Sequence, residues 1–230
     1  MKRALLDALQ KQRAAKQPVV LATELATGRQ ELICPRTPDS ASNPLRLERA
    51  REALLRDRSE ILDEKDGRVF LQPFNPPLRL VIVGAVHIAQ ALAPMAAEAG
   101  YEVTVVDPRH AFALARRFET AALLHEWPDA ALRALAPDAR TAIAALTHDP
   151  KLDEPALDAA LRSEAFYIGA LGSQRTHAAR CQRLRERGFN AADLARVHGP
   201  IGLDIGAQSP AEIAVSILSE MIRELRQERA

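Results

Sequence analysis

Three stretches of this chain gather residue types that hold an anionic or nucleotide-like ligand. The first is LVIVGAVHIAQ, where Leu80-Val81-Ile82-Val83 runs into Gly84 and a helix opens directly after it. Such a turn lets helix-opening N–H groups face a phosphate. Asp107 follows 107 − 84 = 23 residues later, at the end of the next apolar run. An acidic side chain there accepts hydrogen bonds from a ribose or similar diol. The glycine positions of the GxGxxG fingerprint read Gly84, Val86 and Ala89. Alanine is a usual substitute at the third. Val86 sets a side chain where the backbone should approach a pyrophosphate, which counts against an ordinary dinucleotide. His87 can donate to a phosphate or carboxylate, and a surface histidine without a role explains it equally.

The second stretch is Thr147-His148-Asp149 after the run Ala142 to Leu146. It places His148 and Asp149 in the crevice at a strand's carboxyl end, where open α/β sheets bind ligands. The third lies at two later passages. In Gly169-Ala170-Leu171-Gly172-Ser173-Gln174-Arg175, Gly172 permits a tight turn, Ser173 caps a helix or meets a ligand oxygen, and Arg175 pairs with an anion. In His198-Gly199-Pro200-Ile201-Gly202-Leu203-Asp204-Ile205-Gly206, three glycines and a proline signal irregular backbone at close quarters, with Gly202 and Asp204 as candidate binding residues. No serine or cysteine sits in a nucleophile elbow, and no metal-ligand spacing occurs. Cys34 and Cys181 form no CxxC pair and read as reduced thiols.

The elements that must position these residues follow from periodicity. Residues 1–72 form a small module. Val19 to Thr23 and Gln30 to Ile33 flank Thr27-Gly28-Arg29 as a hairpin, residues 35–44 are a proline-bearing loop, and Asn43-Pro44 starts a capped helix. Arg68 to Gln72 is a further strand. Pro73-Phe74-Asn75-Pro76-Pro77 marks the boundary, since three prolines in five residues continue neither ladder nor helix. Residues 73–230 then alternate strands and helices. Helices are predicted from Ile88 to Ala99, Pro155 to Leu161 and Thr176 to Arg187, and strands from Glu102 to Val106, Ala121 to Leu124, Ala142 to Leu146 and Phe166 to Leu171. Ser209-Pro210-Ala211-Glu212 is a capping box opening a long amphipathic C-terminal helix. The fold class is α/β: a Rossmann-like parallel-sheet domain preceded by a small α+β N-terminal module.

Composition narrows the function classes. The net charge of +1 and the 4% aromatic content give no support for a nucleic-acid binder. No apolar run approaches a membrane span, and the basic N-terminus reads as an amphipathic helix rather than a signal peptide, so a cytoplasmic location without membrane partners is expected.

Taken together, these loops resemble the XdhC/CoxF family of xanthine dehydrogenase accessory proteins. The resemblance is carried by LVIVGAVHIAQALAPMA with GYEVTVVDPR, then LTHDPKLDEPAL, FYIGALGSQRTHAAR and VHGPIGLDIGAQSPAEIAVSILSEM, in order from about Leu78 to Leu225. It implies a chaperone that binds molybdenum cofactor, assists exchange of an oxo for a sulfido ligand, and hands the cofactor to a xanthine dehydrogenase-type apoenzyme. It further implies a homodimer and a cysteine desulfurase partner. Two departures stand out. Many relatives have GGGHVG or similar where this chain has Gly84-Ala85-Val86-His87-Ile88-Ala89, and longer relatives carry an N-terminal GGC-type segment that residues 1–72 lack. The alternatives are an NAD(P)-dependent oxidoreductase, for which the strand–turn–helix unit and Asp107 speak, and a regulatory or scaffolding protein with a vestigial nucleotide site.

Overall fold

A computed structural model of the chain describes residues 2–35, 37, 43–65, 67–110, 113 and 115–227. The polar loop expected between the hairpin and the first capped helix lies largely outside the described residues. The chain divides into two compact units, with the boundary between Pro76 and Pro77.

In the first unit, helix α1 (Arg3–Ala14) is followed by strands β1 (Val19–Glu24) and β2 (Gln30–Ile33), helix α2 (Pro44–Arg56), and strands β3 (Glu60–Glu64) and β4 (Gly67–Phe74). The strands form an antiparallel sheet in the order β2-β1-β4-β3. Val20, Ala22, Leu62, Val69 and Leu71 face Ala50 and Leu54 of α2, whose start is capped by the Asn43 side chain. Arg46 ties the helix to the sheet through Glu24, Glu31 and Glu64.

One expectation fails here. Pro73 does not end the strand but sits in its ladder opposite Val20, with Phe74 opposite Val19. The pairing with β3 stops at Leu71, so Pro73 lies where β4 is an edge strand and a missing N–H is tolerated.

The second unit is a six-stranded, fully parallel sheet. Its strands are β5 (Leu78–Val83), β6 (Tyr101–Val106), β7 (Ala122–Leu124), β8 (Thr141–Ala145), β9 (Tyr167–Ala170) and β10 (Val197–His198). Across the sheet they run β7-β6-β5-β8-β9-β10, which is the 3-2-1-4-5-6 order of dinucleotide-binding folds. Both faces are covered, so most strand residues are apolar, with Arg79 in β5 and Glu102 and Thr104 in β6 among the exceptions. Leu80 and Ile82 point into a core shared with helices α3 (His87–Glu98) and α8 (Pro210–Arg226). Val81 and Val83 point into the opposite core, with α4 (Pro128–Leu135), α5 (Pro150–Leu161), α6 (Gln174–Glu186) and α7 (Ala191–Ala195).

Helix α5 begins five residues earlier than the sequence suggests (155 − 150 = 5). Pro150 is its first residue, preset for helix entry, and Asp149 caps it by accepting from the Lys151 N–H at 3.0 Å. Pro155 sits inside the helix rather than at its head.

Candidate functional site

The β5–α3 turn and the β8–α5 loop meet at the seam where the strand order reverses. There the Gly84 N–H bonds the Val106 carbonyl at 2.9 Å, and the Leu146 N–H bonds the Val83 carbonyl at 2.9 Å. Gly84 has φ +106°, and a Cβ on it would stand 2.5 Å from Thr147 Cγ2. Only glycine fits both the backbone and the space. Val86 caps α3 in extended conformation without a side-chain hydrogen bond, and His87, its first residue, is exposed.

Asp107 lies at the end of β6, as the sequence places it, and its carboxylate is enclosed by the chain. Oδ1 accepts from the Arg109 backbone N–H and Nε, both at 2.9 Å. Oδ2 accepts from the Ala85 N–H at 2.9 Å and from Arg109 Nη2 at 2.8 Å. Burial pushes this carboxyl up, but the Arg109 fork and the two backbone N–H groups outweigh it and hold Asp107 below its ordinary value.

On the other side of the seam Thr147 Oγ1 donates to Asp153 Oδ1, and the Asp149 N–H bonds Thr147 Oγ1 at 3.2 Å. Asp153 and Arg180 are both 3% exposed, and their charged atoms stand 3.7 Å apart. Arg180 also donates from Nη2 to the Leu171 carbonyl at 2.8 Å, linking α6 to the end of β9. Burial drives Asp153 up to about 6, against the Thr147 hydrogen bond and the charges of Arg180 and His148. Arg109 feels the carboxylates of Asp149 and Asp153 from across the seam.

A third group ties the outer strands to the last helix. Tyr167 Oη donates to Glu220 Oε2 at 2.7 Å, the Gly202 N–H donates to the same oxygen at 2.8 Å, and His198 Nδ1 lies 3.4 Å from Oε1. The His198 ring stacks on Tyr167 with centroids 4.8 Å apart. Burial pushes Glu220 up, and the His198, Tyr167 and Gly202 contacts overcome it and leave the carboxyl below its ordinary value. Gly202 has φ +91° and packs on α8 so closely that a Cβ would lie 2.3 Å from Ser216 Oγ.

The sequence-derived candidates therefore divide. Gly84, Asp107 and Asp149 belong to one connected group at the seam, with His87 and His148 exposed beside it. Gly172, Ser173 and Arg175 form the next loop, where Ser173 caps α6 by accepting from the Thr176 N–H at 3.2 Å and Arg175 is exposed. Gly202 is engaged by α8, and Asp204 is exposed on the same loop. Sequence reasoning missed Thr147, Asp153, Arg180 and Glu220. The one available signal was a charge set in an apolar stripe, as Asp153 is between Leu152 and Ala156.

A further regularity appears once the strands are placed. The chain has six histidines, and each belongs to a different strand of the parallel sheet: His87, His110, His125, His148 and His177 follow β5 to β9 in turn, and His198 ends β10. The furthest is seven residues past its strand (177 − 170 = 7). His110 and His125 stack with centroids 4.4 Å apart. Among the described residues no group of three or more His, Cys, Asp or Glu is arranged to hold a metal ion, and both cysteines are free thiols. No described helix is long and apolar enough to cross a membrane.

Residues 80–221 match the family model described as the XdhC Rossmann domain. The chain is 34% identical over 148 residues to the protein of Escherichia coli (strain K12) named molybdenum cofactor insertion chaperone PaoD, covering 64% of this chain and 40% of that one. It is 32% identical over 161 residues to a probable xanthine dehydrogenase subunit of Bacillus subtilis (strain 168), covering 70% of this chain and 47% of that one. The chain thus spans less than half the length of either relative. A crystal structure from Bacillus halodurans, described as a xanthine dehydrogenase, superposes with a TM-score of 0.70 at 24% identity, over 99% of this chain and 65% of that one, and shows the shared fold.

Proposed function

The chain belongs to the XdhC family, and from that premise we propose that it binds molybdenum cofactor at the carboxyl edge of its parallel sheet and passes it to a xanthine dehydrogenase-type molybdenum hydroxylase. The observation that carries this reading is the 34% identity to a protein named as a molybdenum cofactor insertion chaperone. The geometry supports it in kind. The α3 start has no side-chain cap, so its first N–H groups are available to a phosphate, and the neighbouring loops supply histidine, arginine and serine donors. Gly84, His87, Asp107, His148, Asp149, Gly172, Ser173, Arg175, Gly202 and Asp204 are the proposed lining, with Asp107 and Gly202 acting from behind the surface through the bonds described above. Support of sulfuration, a cysteine desulfurase partner and a homodimer belong to the same proposal, and the cytoplasm is the compartment it requires.

Anoxic purification after co-expression with cofactor synthesis tests it. Stoichiometric molybdenum by elemental analysis, with pterin fluorescence after oxidation, is the expected result. Metal-free and pterin-free protein under those conditions removes the proposal.

The strand order also favours a second reading, an NAD(P)-dependent oxidoreductase. Val86 opposes it, being extended at φ −89° and ψ 175° at the point where a pyrophosphate would approach. Titration calorimetry with NAD and NADP separates the two readings.

A further inference from the structure

Where a Rossmann site reads a ribose, the acidic residue ending the second strand must offer lone pairs to the diol. A carboxylate has about four acceptor positions. At Asp107 each oxygen already accepts two hydrogen bonds from this chain, and the side chain has 0% exposure. A diol hydroxyl therefore finds no acceptor there. What this part of the edge presents to solvent is nitrogen. The Arg109 side chain is 36% exposed, and its plane is fixed by the two-pronged bond to Asp107. His110 follows it directly, is exposed, and stacks on exposed His125 from the end of β7, while exposed His87 opens α3. A neutral imidazole keeps one N–H that can donate to an anion oxygen.

We propose that Arg109 is the specificity-determining residue of this edge, which recognises a phosphate monoester at the position where a related fold would recognise a ribose diol. Asp107 is then a positioning residue that holds the guanidinium and the Gly84–Ala85 turn together. This rests on the reading that the crevice takes a phosphate-bearing ligand, and it names the group recognised.

The test uses the full chain and three probes: inorganic phosphate, 2′-AMP, whose phosphate replaces one hydroxyl of the diol, and adenosine, which keeps the diol. Imidazole resonances of His110 and His125 report binding. Phosphate and 2′-AMP are expected to shift both resonances saturably, with 2′-AMP bound at least tenfold more tightly than adenosine. Arg109→Gln removes the two guanidinium bonds and frees one acceptor position on each Asp107 oxygen, so its preference inverts toward adenosine. Arg109→Lys keeps the charge without the fork and lowers the preference several-fold, which serves as the test should the glutamine variant melt early. Equal affinity for 2′-AMP and adenosine, a preference unchanged in both variants, or silent His110 and His125 resonances overturns the proposal. Protein that copurifies with molybdenum and pterin yet gives any of those results refutes this inference alone. Phosphate selectivity lost with Arg109 in protein that never acquires pterin upholds this inference and removes the cofactor reading.

Discussion

Asp107 and Asp153 flank the same seam, are both closed to solvent, and differ in sign. Burial raises each carboxyl. Asp107 then receives two guanidinium hydrogen bonds and two backbone N–H groups, and ends below its ordinary value. Asp153 receives the hydroxyl and the backbone N–H of Thr147 and an arginine 3.7 Å away, and ends at about 6. What separates them is that Asp153 is set deeper, so burial costs its ionised form more, and that fewer donors are aimed at that form. The β6 side is thus a settled ion pair, and the β8 side is a buried acid only partly compensated.

The largest effect should come from forcing the two sides apart. Gly84→Ala combines a strained φ with a Cβ 2.5 Å from Thr147, and should cost about 4 kcal/mol in urea unfolding. Adding Thr147→Ser removes the methyl that clashes and keeps the hydroxyl, so the double variant should recover part of that loss. A double variant no more stable than Gly84→Ala would mean that the seam is not limited by this contact.

The next effect is on pH dependence. Asp153 holds its proton more tightly folded than unfolded, so its ionisation opposes folding. Its contribution is most favourable below pH 3.8, falls between 3.8 and about 6, and is level above that. The full loss is on the order of 3 kcal/mol. Asp107 runs the other way: its contribution is present above 3.8 and is lost as pH falls through its depressed folded value. Unfolding curves of Asp153→Asn and Asp107→Asn, each subtracted from the parent across pH 3 to 7, should slope in opposite directions. Parallel slopes would erase the distinction between the two sides.

The smallest effect concerns the neighbouring loop. Ser173→Ala removes the α6 cap and should cost about 1 kcal/mol. If Ser173 also lines the crevice, phosphate binding weakens in the same variant. An unchanged affinity with reduced stability restricts it to capping.

Much of the parallel sheet was legible because both its faces are covered, so residues 80–83 of β5 and residues 142–145 of β8 read as unbroken apolar runs, and β6 kept enough valine to read as a strand despite Glu102 and Thr104. Strand β3 was not, since only Leu62 of its five residues is buried and the rest of EILDE looks like surface. β10 has two residues and α7 five, too short for any period to show. Helix α5 was read late because Pro155 resembles a start, whereas Asp149 and Pro150 supply it. At the site, Gly84 and Asp107 were legible through their spacing. The enclosure of Asp107 by Arg109 was not, although the two are neighbours, because sequence gives residue types and not the direction of a side chain. The Tyr167–Glu220 bond joins residues 53 positions apart and leaves no local trace.

That last bond also sets an order of events during synthesis. Tyr167 and the Gly202 N–H leave the ribosome before the carboxylate that receives both of them. Until Glu220 emerges on α8, the β9–β10 side of the edge carries two donors awaiting their acceptor, while the Asp107 cluster, complete by residue 109, can already be assembled. The hydrogen bonds of the Asp107 cluster can therefore be made while the chain is still growing, whereas the outer bonds, and the cover that α8 gives to β5 and α3, come only with the final described helix.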